Sequence, residues 1–177
     1  MTRSTWTPVG RMHALGRGAA AGAFAGLAGA AAMAAASKLE QLATARPDSY
    51  VPAHTLARLL GLPDPDSDRW WRNMAMHYAS GAVGGALRGI MSAANLRGPF
   101  ASLLHTPVRL SFDQTLENLS GAGAPPWTWP RDELLIDVSH KAVYSVVTGA
   151  VSDTLVAPAA SSSVRRRALG ARHKGHA

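Results

Sequence analysis

The chain of 177 residues contains no cysteine, which excludes disulfide bonds, thiolate catalysis and cysteine-ligated zinc. Aromatic residues are scarce as well, with three Phe and three Tyr, and runs rich in β-branched residues are rare. Alanine dominates the composition, and glycine occurs 17 times. This composition favours closely packed helices over sheets, and the length suffices for one domain with a sizeable core.

Acidic residues are absent from both ends of the chain. Residues 1–17 hold three arginines, and residues 158–177 hold four arginines and one lysine. The formal net charge of +7 therefore arises at the ends. Basic ends are typical of nucleic-acid contact or of retention on the positive side of a membrane. Because the basic C-terminal tail is short and has no aromatic platform, we expect it to bind anionic lipid and not nucleic acid.

The common catalytic and nucleotide-binding motifs are also missing. The sequence contains no HExxH, GxSxG, GxGxxG or P-loop, and no ExxH pair of the kind that di-metal bundles use. The acidic run at residues 63–68 lacks the central glycine and terminal glutamate of a calcium-binding loop. We therefore predict no enzymatic activity, no cofactor and no metal site.

Two apolar segments carry regularly spaced glycines. Six of them recur at intervals of four residues, namely Gly18, Gly22, Gly26, Gly81, Gly85 and Gly89. On a helix this spacing places each row on one face, where the missing side chains leave a groove for a neighbouring backbone. Close packing of this kind is typical of helices in membranes. We predict that these glycines lie at helix–helix contacts, as a glycine zipper.

The order of the apolar segments predicts an all-α fold, a four-helix transmembrane bundle. The predicted spans are residues 17–38, 74–95, 100–120 and 132–157, with basic tails at 1–16 and 158–177 and a short interfacial helix at 54–60. Four spans place both tails and Arg97 on one side, in agreement with the positive-inside rule. That side is the cytoplasm-like side of a plasma or inner membrane, or of the mitochondrial inner membrane in a eukaryote.

The expected partners are the lipid bilayer, with anionic lipid at the basic tails, and a second copy of the chain or a larger membrane complex. The mean hydropathy of −0.01 is low for a protein with several spans. A soluble or peripheral helical bundle with basic tails is therefore an alternative.

The third predicted helix carries ionisable residues at every fourth position. A charge in lipid is costly, so this stripe must face protein, a water-filled cavity or the bilayer surface. Neighbouring helices supply further polar groups, and the candidate polar interior consists of His77, His105, Arg109, Asp113, Glu117, Asp137, His140 and Lys141. Within it, Arg109 and Asp113 are spaced to pair directly on one helix, as are Asp137 and Lys141.

Two roles for this polar interior remain open. It could conduct protons, ions or small solutes, with histidines that titrate near neutral pH. It could instead be a structural ion-pair network that fixes the register of the helices.

Several local features resemble the YagU-like inner-membrane proteins, a family of unknown molecular function. The shared features are a Gly/Ala-rich first span, the stretch LARLLGLPDP at 56–65, His77, His105 with Pro107, the PPW loop at 125–127, and His140 followed by Val143 and Tyr144. The resemblance covers about residues 17–157. It implies an integral membrane protein linked in bacteria to acid tolerance, with no established catalytic residues.

A second resemblance concerns Arg109, Asp113 and the pair Ser120-Gly121. Their spacing is similar to the signature of the four-span Tim17/Tim22/Tim23 family, although Pro125 stands where that signature has a further glycine. This likeness implies a structural or translocase-type membrane component.

Overall fold

The computed structural model describes residues 8–156, which contain five α-helices and no strand. The helices are α1 (Pro8–Thr44), α2 (Val51–Leu59), α3 (Trp70–Ala93), α4 (Gly98–Leu119) and α5 (Arg131–Leu155), with a 3-10 turn at Pro126–Thr128 before α5. The predicted all-α class is confirmed. Residues 1–7 and 157–177 lie outside the described part of the chain, and with them most of the predicted basic tails.

The first helix begins earlier than predicted. α1 starts at Pro8 and not at residue 17, so the second half of the predicted tail 1–16 is helical. Proline suits a first helical turn because its φ is already close to the helical value and it has no N–H to leave unpaired. α1 ends at Thr44, six residues beyond the predicted span 17–38, because Ala45 has a φ of 58° and Arg46 precedes a proline.

The remaining helices lie close to their predicted positions. α2 overlaps the predicted short helix at 54–60 but begins three residues earlier, with a proline in its first turn and with Gly61 beyond its end at a φ of 62°. α3 begins four residues before the predicted start at 74, because the two tryptophans that open it are helical. α4 and α5 differ from the predicted spans by no more than two residues at either end.

The closest packing in the molecule joins α1 to α3 in antiparallel orientation. A Cβ atom placed on Gly22 would lie 2.6 Å from the Cα of Gly89, and one placed on Gly85 would lie 2.5 Å from the Cα of Gly26. Real Cβ atoms do not approach backbone so closely. The structure thus places the two glycine rows against each other, with Gly18 beside Ala93 at the end of the contact.

The other long helices complete the bundle. α5 packs against α1 and α4 and also contacts α3, whereas α2 packs on α3. The start of α1, the α3–α4 turn and the end of α5 meet at one end of the bundle, which we call the basic end. The end of α1, α2, the start of α3, the end of α4 and the start of α5 meet at the other, which we call the loop end.

The distribution of side chains is the reverse of that in a water-soluble bundle. The buried apolar residues are mostly alanines, whereas the largest fully buried side chains include Arg88, Arg109 and Tyr144. Large apolar side chains point outward instead, among them Phe24 at 67%, Leu103 at 68% and Val146 at 59% exposure. Among the described residues, two helices, α1 and α5, are long and apolar enough to cross a membrane.

Candidate functional site

The charged stripe of α4 lies inside the bundle. Arg109 and Asp113 are almost fully buried, and their Nη1 and Oδ1 atoms are 2.6 Å apart. Arg109 also donates hydrogen bonds to the backbone carbonyl of Ser80 at 3.1 Å and to its hydroxyl at 2.9 Å. The stripe therefore faces protein. The alternative in which it faces the bilayer surface does not agree with the structure.

Lys141 extends this ion pair from α4 to α5. Its Nζ lies 2.8 Å from Oδ1 of Asp137 on its own helix and 3.4 Å from Oδ2 of Asp113. The second carboxylate oxygen of Asp137, Oδ2, is buried and accepts no hydrogen bond from any residue in the described range. One lysine thus joins two aspartates on neighbouring helices.

Tyr144 and His105 form the next layer toward the basic end. The Tyr144 hydroxyl donates to the Gly81 carbonyl at 2.6 Å, and its ring centroid is 4.8 Å from the Arg109 guanidinium carbon, within cation–π range. His105 Nε2 lies 3.0 Å from the Gly84 carbonyl and must donate to it. Both aromatic rings thus hydrogen-bond to the backbone of the glycine-rich α3, where only small residues leave room for them.

A cavity of about 560 Å³ opens at the loop end, and we call it the vestibule. Its charged lining residues are Arg46, Asp48, Glu117, Glu133, Asp137 and Lys141. A recess of about 50 Å³ lies next to it, shares Glu117, His77 and Lys141 with its lining, and is also lined by Arg109 and Asp113. The vestibule is therefore separated from the buried ion pair of α4 only by residues that line both cavities.

The structure separates the eight predicted polar residues into three groups. Arg109, Asp113, Asp137 and Lys141 form one ion-pair network, Glu117, His77 and His140 line the vestibule, and His105 of α4 lies deeper, against the backbone of α3. His77 is tied to α1, since its Nε2 donates to the Ala30 carbonyl at 2.8 Å.

A second buried ion pair lies at the basic end, and neither of its residues is among the eight predicted polar residues. Two nitrogens of Arg88 lie 3.1 and 3.0 Å from the two carboxylate oxygens of Asp153. The same carboxylate accepts bonds from the Ser92 hydroxyl at 2.7 Å and from the Gly98 amide at 2.8 Å. The sequence signal for this site was an arginine inside an apolar helix, one position before Gly89 of the glycine row.

Ion pairs connect the segments around the opening of the vestibule, beyond the end of the first predicted span. Arg46 lies 3.0 Å from Glu40 and 3.5 Å from Glu133, and so links the α1–α2 connection to α5. Hydrogen bonds from Arg46 and, to a lesser extent, from the Thr44 hydroxyl hold the pKa of the Glu40 carboxyl below its ordinary value of 4.5. A hydrogen bond from Lys38 lowers the pKa of Asp48 in the same way.

Together these features define an all-α bundle with a charged interior and a cavity open at one end. Within residues 8–156, no three His, Asp or Glu side chains are grouped so that they could hold a metal ion. Comparisons of the chain with models of known protein families, with curated proteins and with solved structures find no match.

Proposed function

We propose that the chain is a four-span integral membrane protein whose polar interior forms a pathway for a small solute or ion. The spans lie within α1, α3, α4 and α5, the first of them at residues 17–38, and the vestibule is the entrance to the pathway. The observation that supports this proposal best is the arrangement of side chains, polar inside and apolar outside.

The outward-facing apolar residues favour lipid as the surroundings. Leaving a Leu or Phe side chain in water costs roughly 1.5–3 kcal/mol relative to burying it. Every long helix carries such residues on its outer face, for example Phe24 on α1, Val83 on α3, Leu103 on α4 and Val146 on α5. α3 and α4 are not among the helices that are apolar enough by composition to cross a membrane, but Arg88 and Arg109 point into the bundle and not toward the lipid.

The charge distribution supports one orientation. The sequence segments on the side of the basic end, including both tails, carry nine lysines and arginines, against six in the segments of the loop end, and the positive-inside rule therefore assigns the basic end to the cytoplasm-like side. The vestibule then opens to the opposite side. The YagU-like resemblance belongs to the same proposal, because it implies a membrane protein that functions under acid stress.

A structural role is the second candidate. Arg88, Arg109 and Lys141 each have an acidic partner within 3.4 Å, so the interior needs no bound ion to compensate these cations. In that case the ion pairs fix the register of the helices, and the protein serves as a scaffold or a translocase-type component.

Single-cysteine labelling separates these candidates, because the natural chain has no cysteine to remove. Ser37→Cys and Ala124→Cys place thiols in the vestibule wall, whereas Val83→Cys and Val146→Cys place them on the outer face. Inverted and right-side-out vesicles are treated with a membrane-impermeant maleimide. We expect the vestibule thiols to react from the side opposite the basic tails only, and the outer-face thiols to react from neither side.

Two other results would change the assignment. Release of the protein from membranes by alkaline carbonate, with labelling of the outer-face thiols, would show a peripheral or soluble bundle. Unreactive vestibule thiols in a protein that needs detergent for extraction would favour the structural role.

A further inference from the structure

The vestibule has an excess of negative charge that the protein does not compensate. Its lining contains the cations Arg46 and Lys141 and four carboxylates, of which Asp48 is paired with Lys38 outside the lining. Arg46 is already paired with Glu40 and Glu133, and Lys141 with Asp137 and Asp113. No lining lysine or arginine is therefore free to pair with a ligand, and an anionic ligand would meet net repulsion.

Glu117 is the vestibule carboxylate that forms no ion pair with any described residue. It lines both the vestibule and the inner recess, no basic group of the described residues lies within 4 Å of it, and its hydrogen bond comes from the Gln114 amide at 3.1 Å. Asp137 adds a buried carboxylate oxygen, Oδ2, that accepts no hydrogen bond within the described range. A carboxylate accepts hydrogen bonds only, so both groups call for a donor.

The recess behind Glu117 limits how far a ligand can enter. Its volume of about 50 Å³ has room for a few water molecules and is about a tenth of the volume of the vestibule. Arg109, which is 2% exposed and lines this recess, has a buried Nε that lacks an acceptor in the described part of the chain. A water molecule there would satisfy the Arg109 donor and leave Glu117 as the inner end of the ligand site.

The rest of the vestibule wall is largely apolar, with Met33, Met74, Ile136 and Trp129 among its residues. A cavity of about 560 Å³ lies within the range of small-molecule sites, which bury most of their ligand against such walls. We propose that the vestibule binds a small organic cation, a primary amine whose ammonium group contacts Glu117 and Asp137 and whose apolar body lies against Trp129 and Ile136.

This inference rests on the proposed function in one respect, since it names the class of solute that enters the pathway. Binding can nevertheless be measured without a membrane. The purified full chain in detergent is titrated by calorimetry with 2-phenylethylammonium, and empty micelles serve as the blank. The anionic counterpart is 3-phenylpropionate and the neutral one is 2-phenylethanol.

We expect saturable binding of the amine and at least tenfold weaker binding of the other two compounds. Glu117→Gln keeps the shape of the side chain and should weaken amine binding at least tenfold. Asp132→Asn makes the same change in charge at an exposed position outside the vestibule and should leave the affinity within about twofold. Ala34→Leu fills the vestibule without a change in charge and should also weaken binding, which covers the case that Glu117→Gln does not fold.

Equal affinity for the three compounds, or full affinity of a folded Glu117→Gln variant, would overturn the inference. The two proposals fail separately. Amine binding by a protein that carbonate releases from membranes would leave the inference standing without the proposed function. Labelling of the vestibule thiols from one side, with no amine binding, would leave the proposed function standing without the inference.

Discussion

Arg88 and Asp153 lie 65 positions apart in the chain, yet they form a two-point ion pair, with distances of 3.1 and 3.0 Å, at the basic end of the bundle. The Arg88 side chain is fully buried, whereas Asp153 is 20% exposed and has two further donors, Ser92 and Gly98. The partners therefore depend on each other unequally.

Because of this inequality, we predict that substitution of Asp153 lowers the stability more than substitution of Arg88. Asp153→Asn leaves a buried guanidinium without a counter-charge, and we expect it to lower the free energy of unfolding by about 3–5 kcal/mol. Arg88→Met should cost less, because the carboxylate keeps Ser92, Gly98 and some solvent. Unfolding in mixed micelles with increasing SDS gives both values, with the exposed Arg131→Met as control. A larger loss for Arg88→Met would contradict this account.

The α4 ion pair predicts a non-additive double mutant. Asp113→Asn removes the counter-charge of Arg109 and one of the two partners of Lys141, whereas Arg109→Gln leaves Asp113 with Lys141. We expect the double variant to lose less stability than the sum of the single variants, by about 1–3 kcal/mol, because no unpaired buried charge remains. Additive losses in the same SDS titration would show that the two side chains act independently.

The α1–α3 contact predicts opposite effects for two glycines on one helix. Gly22→Ala would place a Cβ 2.6 Å from the Gly89 backbone, so the helices must separate, at a cost of about 1–3 kcal/mol or more. Gly16 has no atom within 4 Å of its would-be Cβ. Gly16→Ala should therefore be neutral or stabilise the protein by up to about 1 kcal/mol, since alanine favours helix. Equal effects of the two changes would argue against close backbone contact.

The Glu40–Arg46 pair predicts a change of stability with pH. The pKa of Glu40 is lower in the folded protein than its ordinary value of 4.5. Its contribution is therefore fully present above about pH 4.5 and is lost as the pH falls through the lower, folded-state pKa. We expect the stability difference between the natural chain and Glu40→Gln to be constant from about pH 6 to 8, to shrink as the pH falls below about 4.5, and to disappear once the pH is below the folded-state pKa. Asp132→Asn is the control, and a difference that grows in acid would contradict the assignment.

The local features of the bundle could be predicted from the sequence because they depend on neighbours along the chain. Alanine and glycine content indicated helices, prolines and glycines indicated their ends, and the four-residue spacing indicated the pairs Arg109–Asp113 and Asp137–Lys141. The early start of α1 was missed, because residues 8–16 carry little apolar signal. The predicted start of α3 at residue 74 is four residues late, because Trp70 and Trp71 are helical.

The sequence by itself determined that the chain is helical, that six glycines could form two smooth faces, and that one helix has a charged stripe. Only the tertiary structure decided that the two glycine faces meet, that Lys141 joins Asp113, and that Arg88 finds Asp153. It also decided where the vestibule lies, because that cavity is bounded by the ends of five helices that are far apart in the chain. Spacing along one helix determines which side chains share a face, but the contacts between helices determine which of those faces become an interior.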